Sequence, residues 1–195
     1  TGATAERGQA VVDGLGAERV AEVLVPSAVQ DLTVRPAEEA DRGRYYAWAN
    51  DPAVRRSALT TREITWDEHA QWFADRLASR DCHLFVLMAH GLPVGQARFD
   101  AVDGVARLDY SIDEAVRGRG WGQVLLARSV MALRDIGPVE VVADVREDNA
   151  ASVATLTRVG FRPSTGSGVD AGVVRLRLEG GEDGLAHDLD LIVGQ

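Results

Sequence analysis

Residues 117–122 read RGRGWG and lie between a predicted strand, Gly104–Ile112, and a predicted amphipathic helix, Gln123–Ile136. The first turn of a helix exposes N–H groups without a partner inside the helix and carries partial positive charge, so it binds phosphate. Glycines let the backbone approach a diphosphate because they carry no Cβ. The stretch therefore predicts a diphosphate site, although a tight strand-to-helix connection would use the same residues.

The surroundings of this turn argue against the common nucleotide-binding motifs. No Gly-x-Gly-x-x-Gly follows the first predicted strand, and no Gly-Lys-Ser/Thr ends a glycine-rich loop. The turn also comes after a predicted three-strand meander rather than inside a β-α-β unit. Dinucleotide and nucleoside-triphosphate binding are therefore poor fits.

Working outward, alternating apolar residues and turn signals predict the other elements. Asp103-Gly104 is a strong hairpin signal, and Thr65 with Glu68 forms a capping box that starts a helix. That helix has an apolar stripe of Trp66, Ala70, Phe73 and Leu77, and its His69 is expected to be solvated or packed. The remaining predicted strands are Leu32–Pro36, His83–Ala89, Pro93–Phe99, Val139–Val145 and Val173–Leu178, and the remaining helices are Glu38–Ala49 and Asn149–Val159.

Composition limits the function classes. The formal net charge of −9 over 195 residues argues against nucleic-acid binding, which needs a basic surface. No apolar run approaches the roughly 18 residues of a membrane span, and no secretory leader opens the sequence, so a cytoplasmic protein is expected. The single cysteine, Cys82, excludes an internal disulfide and a multi-cysteine metal site. We expect no metal, and a buried Cys82 rather than a catalytic thiol.

Two motifs resemble the GNAT family of N-acetyltransferases. Its phosphate loop, Gln/Arg-x-x-Gly-x-Gly/Ala, matches Arg117 to Gly122, and its second signature, an Asn about a dozen residues before Gly-Phe, matches Asn149 and Gly160-Phe161. The resemblance implies an α+β fold whose mixed central sheet splays between its fourth and fifth strands, with helices on both faces. It also implies acetyl-CoA as cofactor. The cofactor-binding residues it implies are Tyr110, Ser111, Ile112, Arg117, Gly118, Arg119, Gly120, Trp121, Gly122, Gln123, Asn149 and Ser152.

The resemblance also bears on the proton transfers. The acceptor amine must be neutral to attack, so a base has to take its proton. Asp144-Val145-Arg146 resembles the Glu-Val-Arg of ribosomal-protein acetyltransferases, in which the carboxylate is the base; a strand-end Asp that caps a loop is the alternative. Many family members carry a Tyr seven residues after the Asn, which protonates the departing thiolate. Leu156 occupies that position here, so the acid is unassigned, with Tyr110 as a possibility.

Two segments bear on the acceptor. Residues 48–55, WANDPAVR, and residues 66–73, WDEHAQWF, resemble the amino-sugar N-acetyltransferases of pseudaminic-acid biosynthesis, which act on a nucleotide-linked amino sugar. Trp48, Asn50 and Arg55 are the expected substrate-binding residues, since an aromatic face stacks on a base or sugar and a guanidinium binds phosphate. Packing of these tryptophans against the sheet is the alternative. A protein N-terminal acetyltransferase, an aminoglycoside-modifying enzyme and a non-catalytic coenzyme A sensor stay open.

The predicted organisation has three parts. Residues 1–30 form a helical extension or the remnant of an upstream domain, residues 31–179 the acetyltransferase domain, and residues 180–195 a flexible tail. Residues 12–20 weakly resemble the C-terminal end of nucleotide-sugar hydrolases of the same pathway. A covalent fusion to an upstream enzyme domain and a homodimer are left open. The expected partner is a small-molecule amine.

Overall fold

The computed structural model describes residues 31–137, 140–164 and 169–178. Its centre is a seven-stranded mixed sheet in the order β1-β2-β3-β4-β5-β7-β6, so the α+β prediction is confirmed. All neighbouring strands are antiparallel except β4 and β5, which are parallel. The strands are β1 Leu32–Pro36, β2 Cys82–Ala89, β3 Leu92–Val102, β4 Val105–Ile112, β5 Glu140–Arg146, β6 Phe161–Pro163 and β7 Val173–Leu178.

Two tight hairpins build the β2-β3-β4 meander. The first turn has His90 and Gly91 at φ 49° and 78°, and the second has Asp103 and Gly104 at φ 51° and 80°. Two consecutive positive φ values are the geometry of the two-residue turn whose twist matches that of the flanking strands. The Asp-Gly hairpin is therefore confirmed, and β3 extends from Leu92 to Val102, beyond its predicted bounds.

The described helices are α1 Arg42–Ala49, α2 Pro52–Ser57, α3 Trp66–Ala78, α4 Trp121–Ile136 and α5 Ala150–Arg158. A 3-10 turn, Glu39–Asp41, precedes α1 in the segment predicted as one helix. The capping box of α3 is present, because the Thr65 side chain accepts from the Glu68 backbone and the Glu68 side chain from that of Thr65. Asn149 caps α5 by accepting from the Ser152 N–H.

Helices cover both faces of the sheet. One core contains Phe85, Phe99 and Leu108 from the sheet, packed against Leu125 of α4 and Leu156 of α5. The other core lies under α1 and α3 and consists of Ala37, Tyr45, Trp48, Phe73, Cys82, Leu84 and Val86. We call these the α4 face and the α3 face. Alternate residues of a strand point to opposite faces, which is why Leu84 and Phe85 lie in different cores.

The apolar stripe predicted for α3 is wrong in part. Phe73 is fully buried, but Trp66 is 44% exposed and Leu77 lies at the surface. His69 is 2% exposed, so it is packed, and the buried side of α3 is rotated toward it. The sequence could not show which side of α3 is buried, because that depends on how the helix packs against α1 and the sheet.

Two short elements escaped prediction, and some predictions concern residues outside the described ranges. Strand β6 and helix α2 span three and six residues, too few to show a periodicity. The extension over residues 1–30, the tail over 180–195 and an edge strand considered at 189–193 lie outside the described residues. Within the described ranges, no helix has the length and apolar character needed to cross a membrane.

Candidate active site

Strands β4 and β5 separate after a short parallel contact. They pair only from Val105 to Arg107 on β4 and from Glu140 to Val142 on β5, whereas β4 continues to Ile112 and β5 to Arg146. The predicted splay between the fourth and fifth strands is therefore observed. Backbone groups along the separated edges need other partners. The separation opens a gap in the middle of the sheet.

The register shows which backbone groups face this gap. Asp113 N–H donates to the Val94 carbonyl at 2.9 Å, and Ile112 is opposite Gly95. In an antiparallel pair, residues alternate between bonding to the partner strand and pointing both backbone groups away from it. Tyr110 and Ile112 therefore direct their N–H and C=O groups into the gap. The Ile112 carbonyl accepts from Arg117 Nε at 3.0 Å, which leaves the Tyr110 groups and the Ile112 N–H facing the opening.

Ser111 has the opposite phase. Its backbone faces β3, and its side chain lies on the α3 face, where its hydroxyl accepts from Gln96 Nε2 at 3.3 Å. Of the three β4 residues predicted to bind the cofactor, Tyr110 and Ile112 thus offer backbone groups to the gap. Ser111 offers none there.

The glycine-rich turn has the conformation that its sequence requires. Gly118 and Gly120 have φ values of 80° and 78°, in the left-handed region that favours glycine, and Gly120 is the N-cap of α4. Apart from the chain neighbours, no atom of the described residues lies within 4 Å of a Cβ built on either residue, so the space beside them is open. The N–H groups of Trp121 and Gly122 begin the helix and have no partner inside it. The turn therefore has the open space and the free donors that a diphosphate needs.

The other predicted residues of this loop contact protein atoms. Arg117 Nη2 forms an ion pair with Asp51 at 3.0 Å, in addition to its bond to Ile112, so its guanidinium ties α2 to the end of β4. The Arg119 guanidinium lies 5.9 Å from the centre of the Trp121 ring, and Trp121 is buried in the core. A Cβ on Gly122 would lie 3.4 Å from Thr155. Gly122 and Gln123 both line the cavity described below.

A hydroxyl pair bridges β4 and α5 beside the gap. Tyr110 Oη lies 3.1 Å from Ser152 Oγ, and Asn149 Oδ1 accepts from the Ser152 N–H at 3.2 Å. Burial raises the pKa of the Tyr110 phenol, which therefore stays protonated. Leu156, at the position where many family members carry a tyrosine, is fully buried. Tyr110 is thus a protonated donor on the α4 face of the gap.

Asp144 lies on the α3 face where the strands diverge. Its carboxylate accepts two hydrogen bonds from Arg175, at 2.6 and 2.8 Å, and lies 3.3 Å from Arg107 Nη1. These bonds and charges, with the bonds to Arg175 the largest effect, lower the pKa of the Asp144 carboxyl. A general base works best when its pKa lies near the working pH, and this shift goes the other way. The geometry is that of a clamp between β4, β5 and β7.

The predicted substrate-binding residues have different surroundings. Trp48 is 4% exposed and donates its indole N–H to Asp113, and Asn50 holds the Ile64 backbone by bonds of 2.8 and 2.9 Å. Neither side chain lines the cavity. Arg55 does line it, while Nη1 donates to the carbonyls of Thr60 and Arg62. Trp48 and Asn50 therefore support the wall, and Arg55 is part of it.

One cavity of about 970 Å³ passes through the gap and reaches both faces of the sheet. On the α4 face it is lined by the glycine-rich turn, Tyr110 and Ser152. On the α3 face it is lined by residues that the sequence analysis did not assign to the site: His69, Trp72, Gln96, Arg98 and Asp109. A signal for Gln96 and Arg98 existed, since these residues alternate with apolar residues along β3, whereas Asp109 lies on β4. A half-polar strand face next to a cleft is the pattern of a ligand wall.

Two further observations concern the Cys82 thiol and the possibility of a metal site. Burial, with a smaller effect from Asp100, raises the pKa of the Cys82 thiol to about 12, as expected of a structural cysteine. Over the ranges that the structure describes, no group of three or more His, Cys, Asp or Glu side chains is arranged to hold a metal ion.

Comparison with known proteins identifies one matching family model. It is described as an acetyltransferase (GNAT) domain and matches residues 31–162, more than half of the chain. A search of curated proteins gave no match.

Solved structures share the fold. The yncA protein of Salmonella typhimurium with its cofactor acetyl-CoA is 22% identical at a TM-score of 0.64 and covers 79% of this chain and 96% of its own. A spermidine N-acetyltransferase from Vibrio cholerae in complex with CoA and spermine is 16% identical at a TM-score of 0.67, covering 76% and 95%. An aminoglycoside acetyltransferase in complex with coenzyme A is 20% identical at 0.64, covering 75% and 93%.

Proposed function

The chain belongs to the GNAT acetyltransferase family, which uses acetyl-CoA, and on that premise we propose that it acetylates the primary amine of a nucleotide-linked amino sugar. The observation that carries the cofactor site is the gap between β4 and β5, which the N-terminus of α4 adjoins. The diphosphate of CoA would lie against the amides of Gly120, Trp121 and Gly122, since the Gln123 N–H donates to the Gly120 carbonyl at 3.0 Å. The pantetheine arm would extend along the open edge of β4.

Direct transfer follows from this placement. With the thioester beside Tyr110, the N–H of that residue stabilises the negative charge that develops on the carbonyl oxygen as the amine attacks. The amine enters from the α3 face, where Asp109 and Asp144 line the cavity. The C–S bond then breaks, and the thiolate of CoA leaves. Many family members carry a tyrosine at the position of Leu156 that protonates this thiolate. In this chain Tyr110 takes that role.

The base is one of two carboxylates. Asp144 is the residue that the resemblance suggests, but both of its oxygens are held by Arg175. The Asp109 side chain is 57% exposed, and its oxygen receives a weak bond of 3.4 Å from Gln96. The pH–rate profiles of Asp144→Asn and Asp109→Asn distinguish them. The variant of the true base loses rate mainly at low pH, where the amine holds its proton most firmly, whereas an unchanged profile removes that residue from the mechanism.

The charge of the wall favours an anionic acceptor. The Arg55 guanidinium lines the cavity and has no carboxylate partner within the described part of the chain, and its Nε has no hydrogen-bond partner there either. A cation in this position repels polyamines and attracts the diphosphate of a nucleotide sugar. The resemblance of residues 48–55 and 66–73 to amino-sugar acetyltransferases agrees with this charge.

A thiol-release screen tests the proposal. Acetyl-CoA is incubated with the protein and one of four acceptor classes: nucleotide-linked amino sugars, N-terminal peptides, aminoglycosides and polyamines. Release dependent on the nucleotide sugar, and weakened in Arg55→Met, supports the assignment. Turnover of peptides alone indicates a protein N-terminal acetyltransferase. The buried Leu156 at the family's tyrosine position keeps a non-catalytic sensor as the second candidate, and CoA binding without thiol release for any class would establish it.

A further inference from the structure

Several polar atoms on the α3 face of the cavity are buried and have no hydrogen-bond partner among the residues that the structure describes. They are Gln96 Oε1, both ring nitrogens of His69, and Arg55 Nε. Gln96 is 8% exposed and His69 is 2% exposed, and both line the cavity. Buried polar groups in folded proteins nearly always have a hydrogen-bond partner. Unpaired atoms gathered on one wall therefore indicate a bound polar group.

The orientation of the Gln96 amide is fixed by its neighbours. Its Nε2 donates to Asp109 Oδ2 at 3.4 Å and to Ser111 Oγ at 3.3 Å. Because an ionised carboxylate only accepts, the amide nitrogen must face Asp109, and the oxygen must point the other way. Gln96 Oε1 is therefore an acceptor that needs a donor from outside the protein.

His69 offers one donor and one acceptor. Burial, together with the charge of Arg42, lowers the pKa of the His69 imidazole to about 4, so the ring is neutral at physiological pH. A neutral imidazole presents one N–H and one lone pair. The hydroxyls of a polyhydroxylated ligand match these needs and that of Gln96, because each hydroxyl can donate one hydrogen bond and accept others.

An aromatic ring, Trp72, lies between His69 and Arg98. The Trp72 ring lies 5.3 Å from that of His69, and the Arg98 guanidinium lies 5.2 Å from the centre of Trp72. Arg98 is two residues from Gln96 on the same face of β3. Trp72 is half-buried and lines the cavity, so its apolar surface is available to the flat face of a ring.

We propose that His69, Trp72 and Gln96 form a subsite for the hydroxylated ring of the acceptor, with Trp72 against the face of the ring and the other two bonded to its hydroxyls. The subsite selects cyclic amino sugars over alkylamines. This inference rests on the proposed acetyl transfer and names the residues that read the acceptor.

The test compares a cyclic amine that carries hydroxyls with a cyclic amine that carries none. Acetylation of 4-amino-4-deoxyglucose and of cyclohexylamine is followed by thiol release, with wild-type protein, Gln96→Met and His69→Phe. Wild type should prefer the amino sugar by at least roughly 100-fold in kcat/KM, because a site built to bond hydroxyls discriminates strongly against an analogue that lacks them. Each variant should lose roughly 10- to 100-fold with the amino sugar and less than about 3-fold with cyclohexylamine.

Ser129→Ala is the matched control. Ser129 is fully buried with an unpartnered hydroxyl like Gln96 Oε1, but it belongs to α4 and lies outside the cavity. Ser129→Ala should leave the acetylation rates of both acceptors unchanged. The CoA affinity of each variant shows that it is folded. Equal losses with both acceptors, or no preference in wild type, would overturn the subsite while leaving acetyl transfer intact. Absence of transfer to every amine, including the nucleotide-linked amino sugars of the thiol-release screen, would instead refute the proposed function.

Discussion

Replacement of Gly120 tests the diphosphate site. Gly120 has φ 78° at the start of α4, with open space where a side chain would project. Gly120→Ala pays only for the left-handed backbone, about 1–2 kcal/mol. Gly120→Gln adds bulk, and Gly120→Glu adds bulk and a negative charge. The difference between the last two variants isolates electrostatic repulsion of the bound diphosphate.

The size of that difference follows from Coulomb's law. Two unit charges about 5 Å apart interact by about 3 kcal/mol at an effective dielectric constant of about 20 and by about 0.8 kcal/mol in bulk water. The Glu variant should therefore bind CoA about 1–3 kcal/mol more weakly than the Gln variant, roughly 5- to 150-fold in Kd. Raising the ionic strength should shrink the difference, since salt screens exposed charges.

Isothermal titration calorimetry with CoA measures these affinities, and pantetheine, which lacks the diphosphate, is the control ligand. Pantetheine should bind the Glu and Gln variants equally. Gly122→Ala is the control variant, because the family loop admits Ala at that position and its Cβ would meet Thr155 at 3.4 Å, an ordinary contact. Equal CoA affinity of Gly120→Glu and Gly120→Gln would show that the amides around Gly120 do not face a diphosphate.

Three further substitutions test the surroundings of the site by thermal or urea unfolding. Thr65→Ala removes the cap of α3 and should cost about 1 kcal/mol of unfolding free energy, whereas Thr65→Ser should cost less. Asp144→Asn weakens the bonds to Arg175 and should cost about 2 kcal/mol at pH 7. Because the folded pKa of Asp144 is lowered, that difference in unfolding free energy should be full above pH 3.8 and should be lost progressively as the pH falls from 3.8 through the lowered folded pKa. A constant difference would contradict the ion pair. His69 takes up a proton near pH 6.5 in the unfolded chain but only near pH 4 in the folded protein. As the pH falls from 6.5 to 4, the unfolding free energy of the wild type should therefore drop by roughly 3 kcal/mol relative to that of His69→Phe.

The parts of the fold that the sequence predicted correctly depend on local signals. Asp103-Gly104 specifies a turn by its own backbone preferences, and Thr65 with Glu68 specifies a helix start by two reciprocal hydrogen bonds. Neither feature needs the rest of the molecule. The glycine-rich turn belongs to the same group, since glycine permits the positive φ values that Gly118 and Gly120 adopt.

The parts that the sequence did not predict depend on contacts between distant segments. The sequence leaves open whether Trp48 contacts substrate or packs against the sheet. In the structure its indole N–H donates to Asp113, 65 residues away, and no local pattern signals such a bond. The phase of Tyr110 on β4 depends on the register with β3. His69 is buried because the Tyr46, Trp72 and Phe73 rings surround it. A hydropathy pattern cannot distinguish such a histidine from a solvated one.

The observed contacts of Asp144 change what its substitution can mean. Its carboxylate is shared by Arg175 on β7 and Arg107 on β4, and Arg107 is the last β4 residue that pairs with β5. The ion pairs therefore lie at the point from which the two strands diverge, and they link β5 to β4 and to β7 there. A change in the width of the gap moves the open edge of β4 relative to the glycine-rich turn, and so alters the fit of the CoA arm. If Asp144 is this clamp, Asp144→Asn raises the KM for acetyl-CoA and leaves the shape of the pH–rate profile unchanged; if it is the base, the low-pH limb shifts and the KM for acetyl-CoA does not.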